Sequence, residues 1–175
     1  MSFKNSIYAV FFLLMPLVSH AENEGRFYAV TEAGQTKMTA PTTTNYSFTS
    51  NSWNVGLGYE QDHSSIEFTY GSAISLSSTY GASTDTYDLS NYTFIYNYKL
   101  WNTGNFRPFI GLGRYGGTLS VTDQTDQEYA YNIFDAGVEV PLDDNSSIRF
   151  KYMKTYNAAG YTSFQVYLLG LMYRF

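Results

Sequence analysis

The feature that most limits what this chain can become is a period of two. In Ser52–Asp62, Trp53, Val55, Leu57 and Tyr59 share one face, while Asn54, Gly56, Gly58 and Glu60 share the other. Side chains alternate across a strand, so the segment is predicted as a β-strand with one apolar face. The pattern returns in Ile66, Phe68, Tyr70, Ile74 and Leu76, and again in Tyr92, Phe94, Tyr96 and Tyr98. It recurs in Phe134, Ala136, Val138 and Val140, in Ile148, Phe150 and Tyr152, and in Tyr167, Leu169, Leu171, Tyr173 and Phe175. Arg26–Gly34 and Arg107–Tyr115 carry it more weakly. In the second of these, Arg114 shares the parity of Ile110 and Leu112, and only a bulge near Gly113 or Gly116-Gly117 would turn it to the other side.

The segments predict an all-β fold with eight strands of about 9–13 residues, an even number that suits a closed, antiparallel, up-and-down transmembrane β-barrel. The connections alternate in length. Gln61–Ser64, Leu100–Asn105 and Leu142–Ser146 read as tight turns. Gln35–Asn51 (35–51), Ser77–Thr86 (77–86) and Thr118–Glu128 (118–128) read as long loops, and Asn157–Thr162 as one of middling length. Short turns at one end and long loops at the other are the habit of outer-membrane barrels.

Before the first strand, Met1–Ala21 has one cation, Lys4, then an apolar stretch from Ile7 to Val18 and small residues at Ser19 and Ala21. That is the pattern of a secretory signal, too short to span a bilayer as a helix. Residues 1–21 are therefore read as a signal peptide and 22–175 as the barrel domain. Removal of Lys4 leaves nine Lys and Arg against fifteen Asp and Glu, a net charge of −6. No basic run occurs, so nothing points to nucleic acid. The absence of cysteine excludes disulfides and thiolate metal sites, and no cofactor is implied.

A soluble ligand-carrying barrel would show the same alternation with its apolar face turned inward. Three features favour apolar side chains outward. Gly56, Gly58, Gly71, Gly111, Gly113 and Gly137 lie on the less apolar face, where a crowded lumen has use for missing side chains. Aromatics gather near the loop ends of strands (Trp53, Tyr87, Tyr129, Tyr156) and near the turn ends (Phe27, Tyr59, Tyr98, Trp101, Phe106, Phe175), as bilayer interfaces favour. The chain also ends on Phe175, after alternating apolar residues.

The ending YLLGLMYRF resembles the C-terminal strand of Gram-negative outer-membrane proteins, and RPFIGLGRYGG (Arg107–Gly117) is similar to the fifth strand of the small barrels. That family includes OmpA-like transmembrane domains, outer-membrane protein X, the Ail-type attachment proteins and the opacity adhesins. The resemblance implies an outer-membrane location, contact with outer-membrane lipid and lipopolysaccharide, and a barrel-assembly machinery that reads Tyr167, Leu169, Leu171, Tyr173 and Phe175. It also implies possession of loops, here 35–51, 77–86 and 118–128, that touch a host or surface ligand.

With the apolar face outward, Glu32, Glu60, Glu67, Asp135 and Glu139 meet Lys99, Arg107, Arg149 and Lys151 in a narrow interior. The near balance predicts a paired lumen network, because an isolated charge there would be costly. Asn97→Leu and Gly137→Phe are expected to disturb folding, by lost hydrogen bonding and by overfilling. An eight-stranded barrel has an interior its side chains fill, so the reading is a monomeric barrel without an open pore, acting in adhesion or envelope structure. A small-solute channel, and less so a lipid A-modifying enzyme, are the alternatives. Against an enzyme, His63, the one histidine after the signal, falls in the turn Asp62-His63-Ser64, where neighbouring side chains diverge. Asp85, Asp88, Asp123, Asp126 and Glu128 read as a solvated acidic loop cluster without calcium-loop spacing.

Overall fold

The computed structural model describes residues 25–40, 46–80, 83–101, 104–121, 126–156 and 163–175. Eight strands follow in order: β1 Arg26–Ala40, β2 Tyr46–Gln61, β3 Ser64–Tyr80, β4 Ser83–Lys99, β5 Arg107–Val121, β6 Gln127–Pro141, β7 Ser146–Tyr156 and β8 Ser163–Arg174. Each pairs antiparallel with its sequence neighbours, and β1 pairs with β8 to close the barrel. No sheet edge is left along the closed part, which is how a β structure satisfies its backbone in hydrocarbon.

The strands run 11 to 17 residues, longer than the alternation predicts. The pairing β1–β2 continues to Ala40 opposite Tyr46, β3–β4 to Tyr80 opposite Ser83, and β5–β6 to Leu119 opposite Gln127. Much of the three expected long loops is therefore extended strand. The apolar alternation fades where both faces are polar, yet Thr-, Ser- and Tyr-rich chain still favours pairing. A register shift between Ala73 and Leu76 marks the point where the β3–β4 hairpin leaves the regular ladder. The signal segment, most of the loop tips and the side chains of Ile74, Leu76, Asp85, Tyr87 and Asp123 lie outside the described residues.

The tight turns form as expected. Asp62 adopts φ 51°, a left-handed conformation that Asp tolerates, and Lys99 N donates to His63 O at 2.6 Å. In the β6–β7 turn the Asp143 carboxylate accepts from the backbone N–H of Asn145 (2.8 Å) and Ser146 (2.6 Å), which holds its pKa below the usual aspartate range. Trp101 Nε1 donates to Phe106 O at 2.7 Å across the β4–β5 turn.

The apolar set faces outward. Leu57, Tyr70, Tyr96, Leu112, Phe150, Leu169 and Leu171 are exposed over the belt, with Trp53 and Tyr156 toward the loop end and Phe27, Tyr98, Trp101 and Phe106 toward the turn end. Tyr129 is a correction: it points into the lumen, where its ring stacks 5.0 Å from Phe164 and its hydroxyl donates to Ser90 O at 3.2 Å. Arg114 stays on the outer face with no bulge in β5; its Nη1 donates to Asn132 Oδ1 at 2.6 Å.

Candidate functional site: the barrel lumen

Inward-facing side chains arrange in three storeys. At the turn end, Glu60 and Glu139 are shared among Lys99, Arg107 and Arg174. Lys99 Nζ lies 2.7 Å from Glu60 and 3.3 Å from Glu139. Arg174 bridges both carboxylates, through Nη2 to Glu139 at 2.5 Å and through Nε to Glu60, and its Nη1 donates to Ser147 Oγ at 2.8 Å. Arg107 reaches Glu139 at 3.4 Å from the rim.

The middle storey is sealed. Arg149 lies 2.6 Å from Glu32 and 2.5 Å from Glu67, and Lys151 lies 2.9 and 3.0 Å from the same two carboxylates. Tyr28 donates to Glu67 at 3.0 Å. The local reason is register: Tyr28, Gly58 and Glu67 stand opposite one another on β1, β2 and β3. A side chain at Gly58 would overlap the Tyr28 ring that crosses it. Gly137 plays the same part for Phe109, over whose ring the Arg149 guanidinium stands at 5.8 Å. A phenylalanine at 137 would overfill the lumen, as expected. Asn97 differs from expectation: it is buried, but its Oδ1 has no hydrogen bond among the described residues.

The third storey, toward the loops, is apolar. Met38, Leu89, Ile95, Tyr115, Ile133, Met153, Phe164, Val166 and Leu168 form one buried cluster, with Phe48, Leu119, Tyr129 and Tyr131 packed against it. Phe164 lies 5.0 to 5.9 Å from the rings of Tyr115, Tyr129 and Tyr131. The charge network expected from sequence does not reach this height, where the interior is apolar.

The structure therefore brings Glu32, Glu67, Arg149 and Lys151 into one group and Glu60, Lys99, Arg107 and Glu139 into another. Asp135 also faces inward and is fully buried, yet neither carboxylate oxygen has a hydrogen bond among the described residues. Sequence reading missed Arg174, which raises the lumen cations to five against five carboxylates. Its signal was parity: Arg174 falls on the face opposite Tyr173 and Phe175. Those two, with Tyr167, Leu169 and Leu171, point outward. His63 is held in its turn, donating from Nδ1 to Lys99 O at 2.8 Å and stacking on Tyr98, while Ser64 bonds the Tyr96 hydroxyl at 2.8 Å. No cluster of three metal-ligating side chains occurs among the described residues.

Below the lowest storey a polar recess of about 960 Å³ opens at the turn end, bordered by Arg26, Glu60, Asp62, Lys99, Arg107 and Arg174. Its inner wall is the ionic group itself, so it does not continue upward.

No protein-family model and no curated protein matches the sequence. Solved structures do match its shape. Neisserial surface protein A superposes with a TM-score of 0.66 at 16% identity, over 85% of this chain and 97% of that one. The chain has the fold of the small eight-stranded outer-membrane barrels. The N-terminal barrel domain of Pseudomonas aeruginosa OprF aligns with a TM-score of 0.57 at 14% identity, over 87% of this barrel and 100% of that domain. Ail of Yersinia pestis, solved with the heparin analogue sucrose octasulfate, aligns with a TM-score of 0.51 at 13% identity, over 85% of this chain and 99% of that one.

Proposed function

We propose that this chain is an integral outer-membrane barrel without an open pore, exported by a signal peptide at 1–21 and acting at the surface through its loop end. The observation that carries the reading is the filled interior. Two ionic storeys and an aromatic one stand in series, and each alone closes an eight-stranded lumen. An ion crossing it would have to displace paired, buried charges and then enter an apolar cluster, which is costly at both steps.

The outward belt of Leu, Phe, Tyr and Trp suits hydrocarbon flanked by two interfaces, and the outward faces of Tyr167, Leu169, Leu171, Tyr173 and Phe175 are available to the barrel-assembly machinery. Extended hairpins rich in Ser, Thr and Tyr offer adaptable hydrogen bonding and flat aromatic contact at the surface. Ail is solved with a polyanion, but the described charges nearest this chain's loops are mixed, with Asp88, Asp126 and Glu128 against Lys37 and Lys154. The excess of carboxylates at that rim suits a neutral or cationic surface ligand better than a polyanion. We further infer a monomer that performs no catalysis.

Single-channel recording in a planar bilayer tests the reading. Purified refolded barrel is expected to give no discrete conductance steps, and regular steps would establish the channel alternative. Deletion of 36–50 is expected to abolish attachment to a surface carrying the ligand, and unchanged attachment would remove the adhesin role.

A further inference from the structure

The turn end of the lumen carries more positive charge than its own carboxylates hold. Arg26 on β1, Lys99 on β4, Arg107 on β5 and Arg174 on β8 all border the recess there, and the carboxylates at their level are Glu60 and Glu139. Lys99 takes Glu60 at 2.7 Å and Arg174 takes Glu139 at 2.5 Å. Arg107 is left with one long contact, 3.4 Å to Glu139, and its buried Nε has no hydrogen bond among the described residues. Arg26 stands opposite Glu60 in the β1–β2 register, yet it is in no ion pair among the described residues. Its Nη1 reaches only the backbone oxygen of Asp144, at 3.5 Å.

These two loosely held guanidinium groups belong to β1 and β5, four strands apart in a ring of eight, so the recess of about 960 Å³ lies between them. Its rim has the opposite sign. Asp62 stands in the β2–β3 turn, and Asp143 and Asp144 stand in the β6–β7 turn. Asp143 is engaged by the N–H groups of Asn145 and Ser146. The Asp144 side chain is exposed and in no ion pair among the described residues. The recess is therefore dipolar, cationic at depth and anionic at the mouth. Low-dielectric walls focus such a field on whatever enters, and the volume is that of a small-ligand site.

We propose that this recess binds a short zwitterionic peptide, with the peptide's C-terminal carboxylate on Arg107 and Arg26 and its ammonium group at Asp144. The order of charge selects the occupant. A cation would be repelled at depth, and a polyanion would meet Asp62, Asp143 and Asp144 on its way in. A simple anion would leave the rim unused. A guanidinium suits the inner position because it can pair with a carboxylate through two parallel hydrogen bonds. The site lies at the end opposite the surface loops, on the side where outer-membrane barrels carry their short periplasmic turns. It requires the closed barrel and is independent of the adhesin reading.

The test is proton–nitrogen NMR of the full barrel in detergent micelles, titrated with trialanine. Saturable shifts are expected at the amides of Asp62, Arg107 and Asp144, with loop-end amides such as Gln165 unmoved. Trialanine amidated at its C-terminus is expected to bind about tenfold more weakly, as loss of a charge-assisted hydrogen-bond pair allows. N-acetylated trialanine is expected to lose a few-fold. Arg107→Gln should show the amidated peptide's loss toward free trialanine and no further loss toward the amidated one. Acetate at equal concentration is expected not to displace the peptide; displacement would reduce the recess to a simple anion site and overturn the assignment. Equal affinity for free and amidated trialanine, or no saturable shift at the turn end, would overturn the proposal without recourse to any variant.

Discussion

The two ends of the lumen close by opposite means. Toward the turns the interior is ionic, with Glu60 and Glu139 against Lys99, Arg107 and Arg174, and Glu32 and Glu67 against Arg149 and Lys151. Toward the loops it is aromatic and aliphatic, centred on Phe164, Tyr115 and Tyr129. An apolar cluster tolerates loss of one member by collapse, whereas an ionic group that loses one member leaves a buried charge unpaired. The halves should therefore respond differently to truncation.

The largest effect is expected from Glu67→Gln. It keeps the side-chain volume but leaves Arg149 and Lys151 with Glu32 alone, and should cost about 3–5 kcal/mol. Urea unfolding in lipid vesicles, followed by the fluorescence of Trp53 and Trp101, measures it; a loss smaller than that of Phe164→Ala would reverse the contrast drawn between the halves. Phe164→Ala is expected to cost about 3 kcal/mol, the low end for a buried Phe, because the half-buried Tyr129 and Tyr131 can close over the gap. The same variant should still give no conductance steps, since both ionic storeys remain; steps would show that the aromatic storey alone keeps the lumen shut.

The smallest effect lies outside the membrane span, at Asp143. Its pKa is lowered in the folded state, so the stability it lends is present above the unfolded aspartate value of about 3.9 and is lost as pH falls through the lower folded value. The difference in midpoint between wild type and Asp143→Ala should shrink as pH drops from 7 toward 2. A difference that grows instead would mean that the turn carboxylate does not act as an acceptor.

The outward face of the barrel was legible because β2, β4 and β7 alternate cleanly, with Leu57, Tyr96 and Phe150 set against Gly58, Asn97 and Arg149. The same parity put eight of the nine lumen charges named from sequence into hydrogen-bonded or ion-paired positions, and Asp135 into the lumen without a hydrogen-bond partner among the described residues. Parity gives the face of a residue and not the height at which it meets others, so the aromatic storey stayed hidden. In β8 both faces are apolar over Phe164–Met172, which left Arg174 looking like one step in a terminal hydrophobic pattern. Strand ends were misread wherever pairing continues through Thr- and Ser-rich chain, as in 35–40 and 118–121, because hydrophobic alternation reports contact with lipid and backbone pairing needs none.

Outward Leu112 against lumen-facing Met153 gives the most direct test of the orientation on which all of this depends. The chain has no cysteine, so Leu112→Cys and Met153→Cys each create a single site for a nitroxide spin label in the vesicle-reconstituted barrel. Electron paramagnetic resonance should show the label at 112 highly accessible to oxygen dissolved in the bilayer and shielded from a water-soluble nickel complex, with the label at 153 immobile and shielded from both. A label at 112 relaxed by the nickel complex, as in an aqueous exterior, would contradict the account.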